Sequence, residues 1–414
     1  MRPRSLLLLL SLALLGGLAL LLGGLRPLEA EPQPPAPPPA VLVGIDVLEG
    51  EGFAPLRGKR VGLITNQTGQ TSDGRRTIDL LREAPEVTLA AVFSPEHGLE
   101  GQLSGHVGHA QDAPTGLKVW SLYGRTRRPA PEMLEGLDVL VFDIQDAGVR
   151  YYTYATTMAY AMEEAAKAGM AFVVLDRPNP LNGVEVQGPM LDADRLNFEG
   201  YFPLPLRHGM TIGELARLYN TEHRIGVALH VVPMKHWRRE QWFDQTGLRW
   251  VTPSPALVGL AGNTFYPAVE LLRAGDVSVG RGTEEPFEMM GAPWIDAEEL
   301  ARYLGERKIS GVAFKPAHFT PTSDVHAARR CQGVRLILTD REALDVGRLG
   351  VELLSALWKL YPSHFRLDRT IRLVGSVGTM ARIRAGDDPV EIAKGWREEL
   401  EAFRRLRAPY LLYD

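Results

Sequence analysis

Short apolar runs recur along the first half of the chain, each closed by turn-forming or polar residues. They are Val61–Thr65, Val87–Phe93, Val139–Phe142, Phe172–Leu175 and Leu229–Val232. Runs of this length, rich in β-formers, predict strands buried on both faces. Between two of them, Tyr154–Lys167 sets Ala155, Met158, Ala159, Met162 and Ala166 at helical spacing, with Glu163, Glu164 and Lys167 off that stripe. Thr211-Ile212-Gly213-Glu214 is a capping box that opens another helix. Strand alternating with helix predicts an α/β fold, a Rossmann-like, mostly parallel sheet domain over residues 41–255.

The pattern changes beyond Pro233. Trp237, Trp242, Phe243 and Trp250 interleave with Lys235, Arg238, Arg239 and Arg249. At least two of these tryptophans are expected in the core, the others on a sugar-stacking or interdomain surface. Thr252-Pro253-Ser254-Pro255 reads as a crossover. Helices capped at Asp296 and Asp388, with strands at Val334–Leu338 and Ile371–Leu373, predict a smaller α+β domain over 256–414 that closes the cleft.

The start of the chain changes the picture of where it works. Met1-Arg2-Pro3-Arg4 precedes a Leu-rich run from Leu6 to about Leu25, and Leu28-Glu29-Ala30 ends in a small residue. Residues 1–30 therefore read as a signal peptide or, uncleaved, an N-terminal membrane anchor, and 31–40 as a Pro-rich linker. The chain is expected to be exported, periplasmic or extracellular, touching membrane only through such an anchor. The sole cysteine, Cys331, permits no intrachain disulfide. A net charge of −4 offers no general attraction for nucleic acid. No Gly-x-Gly-x-x-Gly follows the first strand, because Gly62 lies inside it, which removes the main support for a dinucleotide. His106 and His109 lack a clear third ligand, so neither metal nor other cofactor is expected.

Candidate chemistry sits where the strands end. Asn66 and Gln67 follow the first run, and Glu96-His97 the second. Asp143, Asp146, Arg150 and Tyr151 follow the third, and Asp176, Arg177 and Asn179 the fourth. In a parallel sheet these ends share one edge, where ligands collect. Amides, carboxylates, Arg and Tyr in one crevice suit a polyhydroxylated ligand such as a sugar.

The same residues carry a resemblance. Gly58-Lys59-Arg60-Val61-Gly62-Leu63-Ile64-Thr65-Asn66-Gln67-Thr68-Gly69, Ser94-Pro95-Glu96-His97-Gly98, Ser121-Leu122-Tyr123-Gly124 and Phe142-Asp143-Ile144-Gln145-Asp146 stand in order. Leu175-Asp176-Arg177-Pro178-Asn179-Pro180-Leu181-Asn182-Gly183, Leu206-Arg207-His208-Gly209-Met210-Thr211 and Gly280-Arg281-Gly282-Thr283 follow. Together they resemble the NamZ-type exo-β-N-acetylmuramidases, the DUF1343 family, from about Gly44 to the C-terminus. The resemblance implies a Rossmann-like domain closed by a smaller α/β domain. It also implies hydrolysis of N-acetylmuramic acid from the non-reducing ends of peptidoglycan fragments.

That substrate sets demands on the residues. Glycoside hydrolysis generally uses two carboxyl groups flanking the bond. Glu96 is the first, as general acid, with His97 to orient it. The second is Glu270 or Glu288. Many family members carry Phe-Glu-x-Thr-Asn before the Gly-Arg-Gly-Thr run, and Arg273 stands here where that Glu would be. Tyr123, Arg207 and His208 join the strand-end residues as expected sugar contacts. Arg281, between two glycines that let backbone approach a ligand, is expected to meet the lactyl carboxylate of muramic acid, with Arg150, Arg177 and Arg207 competing. The rival reading is a non-catalytic exported protein that binds peptidoglycan sugars. Oligomeric state is not legible in the sequence.

Overall fold

The computed structural model describes residues 40–414, so the leader and nearly all of the Pro-rich spacer lie outside the described residues. The strands are β1 (Lys59–Thr65), β2 (Val87–Ser94), β3 (Ala110–Gln111), β4 (Lys118–Ser121), β5 (Val139–Asp143), β6 (Ala171–Leu175), β7 (Gln187–Met190), β8 (Pro205–Arg207), β9 (Ala228–Val232), β10 (Met289–Ala292), β11 (Val312–Phe319) and β12 (Cys331–Leu338). A seven-stranded sheet runs in the order β3-β4-β2-β1-β5-β6-β9. All its pairings are parallel except β3 with β4. Every residue of β5 is buried, as expected of a central strand covered on both faces. Because β2, β1, β5 and β6 are parallel neighbours, their carboxyl ends share one edge.

Gly62 serves this sheet rather than a phosphate. A Cβ there would come within 2.7 Å of Leu137 and 2.9 Å of Phe93, closer than real side chains pack. The helix Thr153–Lys167 covers one face, burying Tyr154, Ala155, Met158, Ala159 and Met162. Its buried stripe also takes in Ala161 and Ala165, whereas Ala166 is half-buried. The helix Ile212–Glu222 begins with the expected capping box.

The smaller second sheet, β10-β12-β11, is antiparallel and packs against the helix Ala297–Glu306, while the helix Val346–Leu360 packs on Ala297–Glu306 and on the β7–β8 hairpin. Its helices are capped at Asp296 and Asp388 as expected. One expected strand is corrected. Ile371–Leu373 belongs to the short helix Ile371–Val374, ended by Gly375 at φ 74°. Three apolar residues cannot distinguish period 2 from 3.6, and a left-handed glycine is a helix stop. Trp237 and Trp242 are buried, and none of Trp237, Trp242 and Trp250 reaches the large cleft described below.

Buried cations tie distant segments together. Arg150 donates from Nη1 to the carbonyls of Pro189 and Leu204 at 2.8 and 2.9 Å. Its Nη2 reaches those of Leu373 and Val374 at 2.7 and 2.9 Å. Arg239 pairs with the buried Glu214 at 2.6 Å.

Candidate active site

A cleft of about 640 Å³ opens beyond the carboxyl end of β2. Its lining includes Glu96, His97, Tyr123, the run Tyr151–Tyr154 and Glu199, and from later in the chain Tyr266, Glu270, Arg273, Arg281, Asp324 and Arg372. Glu96 leaves the strand through Pro95, and its Oε2 accepts a 2.6 Å hydrogen bond from Thr153 Oγ1. Thr153 opens the helix Thr153–Lys167, whose positive end favours a carboxylate nearby. Tyr154 Oη bonds the carbonyls of Glu96 and Pro253 at 3.3 and 2.9 Å, fixing the backbone beneath the acid. Burial and the Glu96 charge push the Tyr123 hydroxyl up to about 12, so it remains a donor. His97 turns the chain at φ 72°, and its Nδ1 lies 2.7 Å from the Leu103 carbonyl. A carbonyl only accepts, so Nδ1 carries a proton.

The lining from residues 266–373 is charged. Glu270, 5% exposed, meets Arg281 through Oε1 to Nη2 at 3.0 Å and Oε2 to Nε at 3.3 Å. Burial pushes its carboxyl above the usual range while Arg281 and Arg273 pull the other way. Glu270 in turn holds the Arg281 guanidinium firmly cationic. Asp324 lies 3.0 Å from Arg273 Nε and 3.8 Å from Arg281 Nε. The glycines beside Arg281 have a different purpose from the expected one. Gly282, at φ 79°, would bring a Cβ to 2.5 Å from the Ser323 amide, so it seats a neighbouring loop rather than a ligand.

Many expected contacts lie elsewhere. Glu288 is corrected: it sits half-buried beside Glu285 and Arg335, outside the cleft, where burial and the Glu285 charge push its carboxyl up. Asn66 Oδ1 accepts from Thr68, and Gln67 Nε2 donates to the Thr252 carbonyl at 2.8 Å. Asp143 is bonded to Thr77 and, at 2.6 Å, to Arg177. Asp176 accepts from Thr211 Oγ1 and the Gly213 amide, and Asn179 bonds Met210 and Leu181. Arg150 is the strut described above, and Arg207 lies 1% exposed against Gln187 and the Leu181 carbonyl. Asp146 and His208 face each other at 3.9 Å, where burial pushes the acid up to about 7 and the imidazole down to about 3. None of these lines the cleft. Tyr151 does, with its hydroxyl given to the Tyr266 carbonyl. For Asp143, Asp176, Arg177 and Asn179 the physical reason is that polar groups at buried strand ends must be satisfied internally, whereas Asn66 Nδ2, Gln67 Oε1, Asp146 Oδ1 and Arg207 Nε are buried with no partner among the described residues.

Sequence reading missed Thr153, Tyr152, Tyr154, Glu199, Tyr266, Asp324 and Arg372, and gave Arg273 no role. Arg273, three residues after Glu270, was findable from helical spacing. Glu199, Asp324 and Arg372 come from segments far apart in the chain, with no local signal. Thr153→Val is expected to lower kcat about tenfold at unchanged KM, because a hydrogen bond to a charged group is worth roughly 1.5–3 kcal/mol. Thr153→Ser, which keeps the hydroxyl, is expected to restore it in the same steady-state assay.

The chain is similar to known proteins in sequence and fold. The model for the N-terminal part of exo-β-N-acetylmuramidase NamZ fits residues 61–261, and that for its C-terminal part fits residues 264–413. The chain is 43% identical over 380 residues to the peptidoglycan β-N-acetylmuramidase NamZ of Bacillus subtilis (strain 168), covering 91% of this chain and 92% of that protein. A solved DUF1343 family protein from Bacteroides fragilis NCTC 9343 superposes with a TM-score of 0.84 at 39% identity, over 91% of this chain and 99% of that one. A second from the same organism gives 0.75 at 29% identity, with the same coverage.

Proposed function

The chain belongs to the NamZ family of exo-β-N-acetylmuramidases, a glycosidase family, and we propose that it works outside the cytoplasm. There it releases N-acetylmuramic acid from the non-reducing ends of peptidoglycan fragments. The observation that carries this reading is the cleft itself: Glu96, held by Thr153, shares its lining with Arg273, Arg281 and Arg372. Glu96 protonates the glycosidic oxygen as the bond to the anomeric carbon breaks, and the arginines meet the lactyl carboxylate that marks muramic acid. The export half of the reading rests on the Leu-rich leader and on the substrate's own location.

Arg281 is the first choice for the lactyl group. Its Nε and Nη2 face Glu270, which leaves Nη1 directed to other partners. Arg281→Ala is expected to weaken muramic acid substrates about ten- to a hundredfold, while N-acetylglucosamine counterparts change little, because only the former carry the carboxylate. Equal losses on both would move the role to Arg273 or Arg372. The activity is tested by incubating the protein with a chromogenic N-acetylmuramic acid β-glycoside and, separately, with muropeptides. Chromophore release and free N-acetylmuramic acid as the sole early product are expected. Binding without turnover would reduce the protein to a sugar-binding module, and internal cleavage products would remove the exo assignment.

A further inference from the structure

Glu96 needs a counterpart at the anomeric carbon, ordinarily a second carboxylate acting as nucleophile or as base toward water. Besides Glu96 the cleft offers Glu199, Glu270 and Asp324, and each is already matched to a guanidinium. Glu270 turns both oxygens onto Arg281, with Arg273 a further 3.8 Å from Oε1. Asp324 sets both oxygens 3.0 Å from Arg273 Nε, and Glu199 is bonded to Arg372. Glu96 differs: it is bonded by the hydroxyl of Thr153 and neighboured by that of Tyr123, with no cation in contact among the described residues. A nearly buried carboxylate clasped by an arginine is a weak nucleophile, and leaving the pair would strand the arginine without its counter-charge.

The substrate class carries its own nucleophile. N-acetylmuramic acid bears a 2-acetamido group whose carbonyl oxygen can reach the anomeric carbon from the face opposite the leaving group. We propose, resting on the function read above, that cleavage is substrate-assisted, with Glu96 the only protein group that moves a proton. The acetamido oxygen bonds to C1 as the glycosidic C1–O bond breaks. That bond's electron pair stays on the leaving oxygen, which takes the Glu96 proton, and the positive charge resides in the oxazolinium ring. Water then adds to C1 and gives its proton to the Glu96 carboxylate, while the C1–O bond to the acetyl group opens and restores the acetamide. Tyr151, Tyr152 and Tyr266, packed edge to face at 5.3 and 6.3 Å between ring centres, give the cleft an aromatic wall that can shield such an ion from water. Glu270 in this scheme is a positioning residue that anchors Arg281.

The test uses the unaltered protein and aryl β-glycosides of muramic acid carrying N-acetyl, N-fluoroacetyl, N-difluoroacetyl or N-trifluoroacetyl groups. Fluorine withdraws electrons from the attacking oxygen, so kcat is expected to fall stepwise, about 100-fold over the series. Proton NMR of the first product formed is expected to show the β-anomer, since two displacements restore the starting configuration. A flat series with retention would overturn the inference and give the nucleophile's role to Glu270. The α-anomer formed first would overturn it in favour of direct attack by water. Both results leave the muramidase reading standing, whereas failure to hydrolyse the N-acetyl parent would remove that reading and the inference with it.

Discussion

Glu96→Gln is expected to lower turnover of natural muropeptides by about 10²–10⁴-fold, the usual contribution of a positioned proton donor. The amide keeps the size of the carboxyl and can still meet Thr153 Oγ1, the 2.6 Å contact that orients the acid. Substrate affinity and thermal stability are therefore expected to change little. An aryl glycoside with a nitrophenolate leaving group needs less protonation, and its turnover should recover part of the loss. Steady-state kinetics on both substrates separate the cases. Near-normal turnover on muropeptides would remove Glu96 from the chemistry. An equal loss on both substrates would mean that it does something other than donate a proton to the leaving group.

Arg177→Ala is expected to destabilise the fold by about 3–5 kcal/mol, the typical cost of removing one member of a buried ion pair. Arg177 is 6% exposed and bonds Asp143 at 2.6 Å, with its Nη2 on the Gln70 carbonyl at 2.8 Å. Removing it strands the wholly buried Asp143 carboxylate with only the Thr77 hydroxyl beside it. Chemical denaturation should show a lowered midpoint with an unchanged slope, since the surface exposed on unfolding is the same. Replacing both partners by apolar residues, Asp143→Leu with Arg177→Met, is expected to return much of the loss. The fraction that remains folded should keep its KM, because neither residue reaches the cleft. A raised KM in folded Arg177→Ala would restore the sugar-contact role that its strand-end position suggested.

The strands β1, β2, β5, β6 and β9 and the helix Thr153–Lys167 were legible in the sequence because their signal is local. An unbroken apolar run or a stripe at helical spacing lies within one short window. Glu96 was legible for the same reason, standing right after such a run and inside the motif shared with the family. The short β3 and β4, and the hairpin of β7 and β8, gave no such signal; Gly188 and Pro189 interrupt β7 and Pro205 begins β8. The segment Ile371–Leu373 was misread because three apolar residues fit either period.

Which polar residues face the cleft was decided only by tertiary structure. Asp143, Asp176 and Glu96 look alike in sequence, each just past an apolar run, yet Asp143 and Asp176 are 0% exposed and bonded internally while Glu96 opens into solvent. Their difference is set by the partners that other segments bring: Arg177 to Asp143, Thr211 and Tyr413 to Asp176, hydroxyls and no cation to Glu96. Arg281 likewise reads as free in sequence and is in fact paired with Glu270. Local pattern determines where a strand ends. Whether the charge at that end is spoken for depends on distant segments, because burial makes an unpaired charge too costly to leave.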